Sequence, residues 1–207
     1  MNASFRYEGS SRFGANNKWA AFYGLGGGVS LHNLLDTDAI DNLKLRVSYG
    51  QTGNEPGSSY ISLQRFGPAG NFYYNGAYTS SYGPTSNANP DLAWEIATHL
   101  NVGVDFAFVN SRLFGSLEYF TRETKDQLLS VNVPVPPNLV GQTLLNIGTT
   151  KNAGFEANVN FNVSNSSNFD WTTGIVFGTS TSELMSWTKG DLSFSGGVLY
   201  RAAMGSP

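Results

Sequence analysis

Ala153-Gly154-Phe155-Glu156-Ala157-Asn158-Val159-Asn160-Phe161-Asn162-Val163 decides the fold. Phe155, Ala157, Val159, Phe161 and Val163 alternate with Gly154, Glu156, Asn158, Asn160 and Asn162, so a period of two divides an apolar set from a polar one. In a β-strand these sets point to opposite faces of a sheet, and the segment separates an oily medium from a wet one.

The device recurs on either side of this stretch. Leu43, Leu45, Val47 and Tyr49 oppose Lys44, Arg46, Ser48 and Gly50. Leu100, Val102, Val104, Phe106 and Phe108 oppose Asn101, Gly103, Asp105 and Ala107, and Phe169, Trp171, Ile175 and Phe177 repeat the pattern. Strands of a soluble sandwich average about 5 to 6 residues. Here the alternation runs for roughly 9 to 11, the length that crosses a bilayer as a tilted barrel strand. The expected fold is all-β, with the apolar set (Val104, Phe106, Val159, Phe161, Phe177) facing lipid and the polar set (Asp105, Glu156, Asn158, Asn160) facing a lumen.

Composition agrees with that reading. Charged residues are 13% of the 207 and aromatics 14%, with 24 glycines, which suits tightly turned β-structure with aromatic girdles. No apolar run approaches the 18 or so residues of a transmembrane helix. A net charge of -3 gives no electrostatic footprint for nucleic acid. The absence of cysteine excludes disulfides and thiolate metal or redox sites. Met1 to Glu8 has no apolar core of a signal peptide, so an export address is expected upstream.

Turn signals are of two kinds. Short ones at Val109–Arg112 and Ser164–Asn168 alternate with long segments, Thr52 to about Asp91 and Ser130 to about Leu145, rich in Gly, Pro, Asn, Ser and Tyr. Tracing the chain up and down through Ala3–Glu8, Trp19–Leu31, Leu43–Gly50, Leu92–Phe108, Leu113–Leu129, Thr149–Val163 and Trp171–Met185 puts the long connections at one end. The exception at the other end is His32–Asn42, where Leu34–Asp41 reads as a short helical turn. Outer-membrane barrels have this asymmetry of short periplasmic turns and long outside loops. About eight to ten strands are expected, as an excerpt of a larger barrel.

Particular residues carry a family resemblance. Arg6-Tyr7-Glu8-Gly9-Ser10-Ser11-Arg12-Phe13-Gly14 with Asn17-Lys18-Trp19 resembles the DGSSRFG…NRW stretch of SusC/RagA-like TonB-dependent transporters of the Bacteroidetes outer membrane. Leu43–Asn54 is similar to that family's LKLRxSYGxTGN, Asn89-Pro90-Asp91-Leu92-Ala93-Trp94-Glu95 to its NPDLKWE, and Asn146-Ile147-Gly148 with Asn152-Ala153-Gly154-Phe155-Glu156 to its NIG…NxGxE. The departures, Glu8 for Asp and Ala93 for Lys, are small. The resemblance covers nearly the whole chain and implies a roughly 22-stranded barrel with a plugged lumen. Residues 1–207 are then a segment of the barrel, with the plug domain and TonB box upstream. It further implies an importer of oligosaccharides or peptides in the bacterial outer membrane, a SusD-like surface lipoprotein as partner, and coupling to the TonB complex. A structural or adhesive surface β-protein without transport, and a soluble carbohydrate-binding sandwich, are the alternatives.

As local chemistry, Gly9 and Gly14 bracket a tight loop in which Arg12 can reach neighbouring carbonyls. Asn89-Pro90-Asp91 suits a turn closed by the Asp side chain, and Trp94 falls where an interfacial aromatic belt is expected. Asp36, Asp38 and Asp41 lack the Gly and distal Glu of a calcium loop, and His32 and His99 have no second ligand at metal spacing. Glu118, Glu123 and Asp126 read as lumen lining and solvation rather than a glycosidase pair. Gly24–Gly28 has no P-loop Lys after it and reads as close packing within a strand. No catalytic, cofactor or metal site is expected. The candidate contact residues for substrate or partner are Tyr60, Phe66, Phe72, Tyr73, Tyr74, Tyr78 and Tyr82, gathered among Gly, Asn and Ser in the longest connection.

Overall fold

The computed structural model describes residues 1–32, 39–166 and 169–186. Seven strands form one antiparallel sheet: β1 (Asn2–Gly9), β2 (Trp19–Ser30), β3 (Ile40–Asn54), β6 (Glu95–Phe108), β7 (Leu113–Lys125), β10 (Thr149–Ser166) and β11 (Phe169–Ser186). They lie side by side in chain order, and the remaining four form two separate hairpins, β4 (Phe66–Tyr74) with β5 (Ala77–Pro84) and β8 (Leu128–Asn132) with β9 (Gln142–Asn146). Among the described residues β1 and β11 are open edges, so the sheet is a wall rather than a closed barrel.

Directly opposed residues of an antiparallel pair share a face. Leu45 lies opposite Val104, Val104 opposite Leu117, Leu117 opposite Ala157, and Ala157 opposite Phe177. The row below runs Leu43, Phe106, Gly115, Val159, Ile175. The other face carries Lys44, Asp105, Ser116 and Asn158 in one row and Arg46, Gly103, Glu118 and Glu156 in the next. The alternation read in single strands is thus in phase across these rows, and Val104, Phe106, Val159 and Phe177 share one face while Asp105, Glu156 and Asn158 share the other; Val163 lies at a register shift and pairs with no residue of β11. A one-residue slip anywhere would put a charged row among the aliphatic ones, which is what fixes the register.

Stacked aromatics border the apolar face. Tyr7 lies on Trp19 at 5.2 Å and Tyr23 on Tyr49 at 5.9 Å towards the long-loop end; Phe106 lies on Phe108 at 5.5 Å towards the other. Trp94 does not belong to this belt. It is buried against Phe13 (4.4 Å) and Phe22 (5.5 Å), and its indole N–H donates to the Lys18 carbonyl at 3.3 Å. A loop over the sheet end covers the ring, which the sequence neighbours of Trp94 could not reveal.

The pairings Gly9 with Trp19, Asn54 with Glu95 and Thr124 with Thr150 place the long connections at one end. The short turn Val109–Arg112 joins Phe108 to Leu113 at the other. Val109, Asn110 and Ser111 all have positive φ (59, 57 and 57°), and the Asp41 carboxylate holds this left-handed turn by accepting the Ser111 N–H at 2.7 Å. Of the helical turn expected at Leu34–Asp41, residues 34–38 lie outside the described residues, and Ile40 and Asp41 already belong to β3.

Several boundaries differ from expectation, β3 among them, which runs from Ile40 to Asn54 rather than from Leu43 to Gly50. β6 starts at Glu95 rather than Leu92, because Leu92 and Trp94 are drawn into the loop core. The strand expected to run from Leu113 to Leu129 breaks at Asp126 (φ 56°), where the chain leaves the sheet and restarts as β8. Each long connection contains a hairpin. The signal for β4–β5 is Asn75-Gly76, whose φ values of 48 and 84° suit a type I′ turn.

Candidate binding rim and polar wall

At the long-loop end two of the sequence motifs meet in one small core, Phe13 of the first with Leu92 and Trp94 of the third, completed by Phe22 of β2 and with Ile61, Leu128 and Leu144 packed against it. The loop after β1 is tied to the segment before β6 by Gly14 N–H donating to the Leu92 carbonyl (2.9 Å) and by the Asn17 amide donating to the Asp91 carbonyl (2.9 Å). A side chain on Gly14 would collide with the carbonyl of Pro90, so glycine is needed there for close approach. Arg12 bonds a backbone carbonyl, but one of the next long connection rather than of its own loop, donating to Pro56 (3.2 Å) and pairing with Glu55 (2.7 Å). The turn at 89–91 is closed by Asn89 rather than Asp91. Asn89 Oδ1 accepts the Asp91 N–H at 3.2 Å, leaving the Asp91 carboxylate to the Asn16 amide at 3.4 Å.

Side-chain amides join this unit to the second long connection. Asn146 grips Ala93 at both backbone groups, accepting its N–H at 2.8 Å and donating to its carbonyl at 2.7 Å, and donates also to the Asp126 carbonyl at 2.9 Å. Asn89 donates to Leu144 (2.9 Å), and Asn87 bonds the backbone of Leu139, Val140 and Gln142. Glu95 Oε2 accepts the Leu128 N–H at 3.1 Å. These asparagines replace the ladder bonds that irregular backbone cannot make with itself. Sequence reading recognised Asn89 and Asn146 as motif members but gave them no such role. Asn87, outside the motifs, carried no signal.

From this base rises the β4–β5 hairpin. Its root is closed by Thr85 N–H to the Arg65 carbonyl (2.8 Å), and buried Ser62 anchors the approach by donating to the Phe13 carbonyl (3.1 Å). Six of the seven candidate contact residues lie on it. Tyr73 and Tyr78 face each other across the hairpin at 5.3 Å, with Tyr82 and Phe66 further along the same face; Phe72 and Tyr74 pair at 6.4 Å on the opposite face. Tyr60 stands apart, in the turn before the hairpin with φ 57°. All seven are exposed, from 49% for Phe72 to 78% for Tyr78. Residues 66–84 contain no charged side chain.

The polar wall has its own cluster. Arg46 on β3 binds Asp105 on β6 bidentately (Nε to Oδ2 2.7 Å, Nη2 to Oδ1 2.9 Å) and continues to Glu118 on β7 (Nη2 to Oε1 2.7 Å), so one guanidinium spans three strands. Gly103 lies between them, and a Cβ there would sit 3.1 Å from Nη2. Asn101 donates to the remaining Glu118 oxygen at 3.2 Å. Glu118 therefore lines the polar wall as expected. Glu123 does not, since its register puts it on the apolar side of the strand beyond the aliphatic rows, beside Lys125 at 3.5 Å. Asp126 lines nothing and forms the break after β7. His99 stands on the polar wall between Gly50 and Arg122. Gly24–Gly28 lies within β2 as expected; side chains on Gly24 and Gly26 would meet Ser4 and Asn2 of the neighbouring strand. No group of three or more His, Cys, Asp or Glu capable of holding a metal occurs among the described residues, and Asp36 and Asp38 lie outside them.

A long-stranded antiparallel wall with one apolar face, one polar face and elaborated loops at a single end defines a piece of a membrane β-barrel. Residues 1–201 match the family described as TonB dependent receptor-like, beta-barrel, and the chain belongs to that family. It is similar to TonB-dependent receptor SusC of Bacteroides thetaiotaomicron, with 35% identity over 164 residues covering 76% of this chain and 16% of SusC. TonB-dependent receptor P39 of Formosa agariphila is likewise 35% identical over 163 residues, covering 77% of this chain and 15% of P39. Among solved structures, the RagAB peptide importer in its closed-closed state superposes with a TM-score of 0.76 at 26% identity, covering 96% of this chain and 21% of that one. A second RagAB peptide transporter structure gives 0.74 at 28% identity, covering 88% and 20%. The chain thus spans about a sixth of the curated relatives it matches.

Proposed function

We propose that this wall belongs to an outer-membrane, TonB-dependent importer of oligosaccharides or peptides that works with a SusD-like surface lipoprotein. The apolar face meets lipid, the polar wall lines the lumen, and the long connections face outside. A plug and TonB box belong to the rest of the protein. The relatives named above are TonB-dependent receptors and a peptide importer, which supports transport over bond-making or bond-breaking chemistry.

The observation that carries the reading is the β4–β5 hairpin: an uncharged, Tyr- and Gly-rich blade of exposed aromatics on an amide-tied base. Flat aromatic faces with hydroxyl and amide donors suit sugar rings and peptide backbones, and Tyr immobilises at little entropic cost. Phe66, Phe72, Tyr73, Tyr74, Tyr78 and Tyr82, with Tyr60 at its approach, are the contact residues for substrate or for the lipoprotein.

Sidedness and role are tested together in the full-length protein. Asn75→Cys at the hairpin tip should react in whole cells with a membrane-impermeant maleimide. Tyr73→Ala/Tyr78→Ala should weaken capture of the imported oligosaccharide or peptide at least tenfold without lowering the amount of folded barrel. A tip cysteine that reacts only after denaturation refutes the topology. Unchanged capture refutes the role of the hairpin.

A further inference from the structure

Arg46, Asp105 and Glu118 are more than a staple between strands. Around them on the polar wall stand Lys44, directly opposite Asp105, and Glu156, directly opposite Glu118, neither with an ion-pair partner among the described residues. This patch of adjacent register positions carries two cationic and three anionic groups, and Arg46 alone engages two of the carboxylates. Among the described residues each of the three bonded side chains keeps a quarter to about a third of its surface open on the polar side (35%, 29% and 27%), where the cluster faces the lumen once the plug is displaced. Low-dielectric walls focus the field of such a cluster, and a change of one or two charges alters which ions enter.

We propose that Arg46 is a specificity-determining residue of the lumen: by offsetting one of the two charges that Asp105 and Glu118 carry, it weakens this wall's repulsion of anionic solutes. This rests on the importer reading above. The geometry supports a dedicated role for arginine. Its fork satisfies both Asp105 oxygens and still reaches Glu118 across the strand between, which a lysine ammonium cannot do with one rigid group. Gly103 leaves the path of the guanidinium clear.

The test uses the full-length protein in planar bilayers, its lumen opened with urea, and KCl as the probe. The zero-current potential in a salt gradient reads selectivity. Arg46→Gln should shift it from the wild-type value towards cation preference, and Asp105→Asn/Glu118→Gln, which leaves the guanidinium unpaired, should shift it the opposite way. Combining all three substitutions removes one positive and two negative charges, a net change of +1, so its potential should fall between those of wild type and Asp105→Asn/Glu118→Gln. A merely structural staple would move stability in both variants without giving shifts of opposite sign. Shifts of the same sign, or none in variants that fold with normal heat-modifiability, overturn the proposal. A wild-type protein with no pathway that can be opened overturns the importer reading itself.

Discussion

Asn146→Ala probes the rim most directly, because one side chain there makes three backbone hydrogen bonds. Its Oδ1 accepts from Ala93 N–H at 2.8 Å, and its Nδ2 donates to the carbonyls of Ala93 (2.7 Å) and Asp126 (2.9 Å). Net contributions of about 1 kcal/mol per bond, adjusted upward for Ala93 groups left without a partner and downward for their partial exposure, give about 2 to 4 kcal/mol. That loss is local. The sheet keeps its ladders, but the segment 89–95 loses its tie to the β8–β9 connection. Hydrogen exchange of the Ala93 amide in the full-length protein reads it, and acceleration of roughly 30- to 1,000-fold is expected. Asn146→Asp should be at least as damaging, since its second oxygen would face two carbonyls where the amide donated. Exchange at Ala93 that changes by less than about threefold in both variants would show that the rim is held by its apolar core and not by amides.

Other expectations follow from the two faces and the loop core. Val104→Arg, on the apolar face, should destabilise the full-length barrel by about 2 to 4 kcal/mol and Asn158→Arg, on the polar wall beside Glu156, by much less, measured by urea unfolding in detergent or lipid. Equal losses would refute a lipid-facing apolar side. Gly14→Ala should detach the loop 10–18 from Pro90 and raise its protease sensitivity, whereas Gly57→Ala, with open space around its Cβ, should not. Trp94→Ala removes a buried ring and should destabilise the rim core by about 3 to 5 kcal/mol, read as faster exchange in segment 89–95 with the barrel strands unaffected. A belt tryptophan would show no such local effect.

The wall is legible from strand pattern alone. Alternation in Leu43–Gly50, Leu100–Phe108 and Ala153–Val163 names each residue's face, because the side-chain period of a strand is two whatever lies beside it. Turn lengths then give an up-and-down order without any knowledge of packing. Family membership was equally legible, since motifs such as Asn89–Glu95 are contiguous in the chain. Where those motifs go is set by the packing of loops over the sheet end. Trp94 reads as a belt residue until the loop carrying Phe13 is folded over it. Asn89 reads as a turn residue and Asn146 as a motif member without a role until their amides meet backbone from another connection, some 55 residues away. The reach of Arg46 past Gly103 to Glu118 depends on three strands in one register. Local periodicity reports which medium a side chain faces. It is silent on which distant backbone group or side chain will meet it there, because that is set by how loops close over the sheet end.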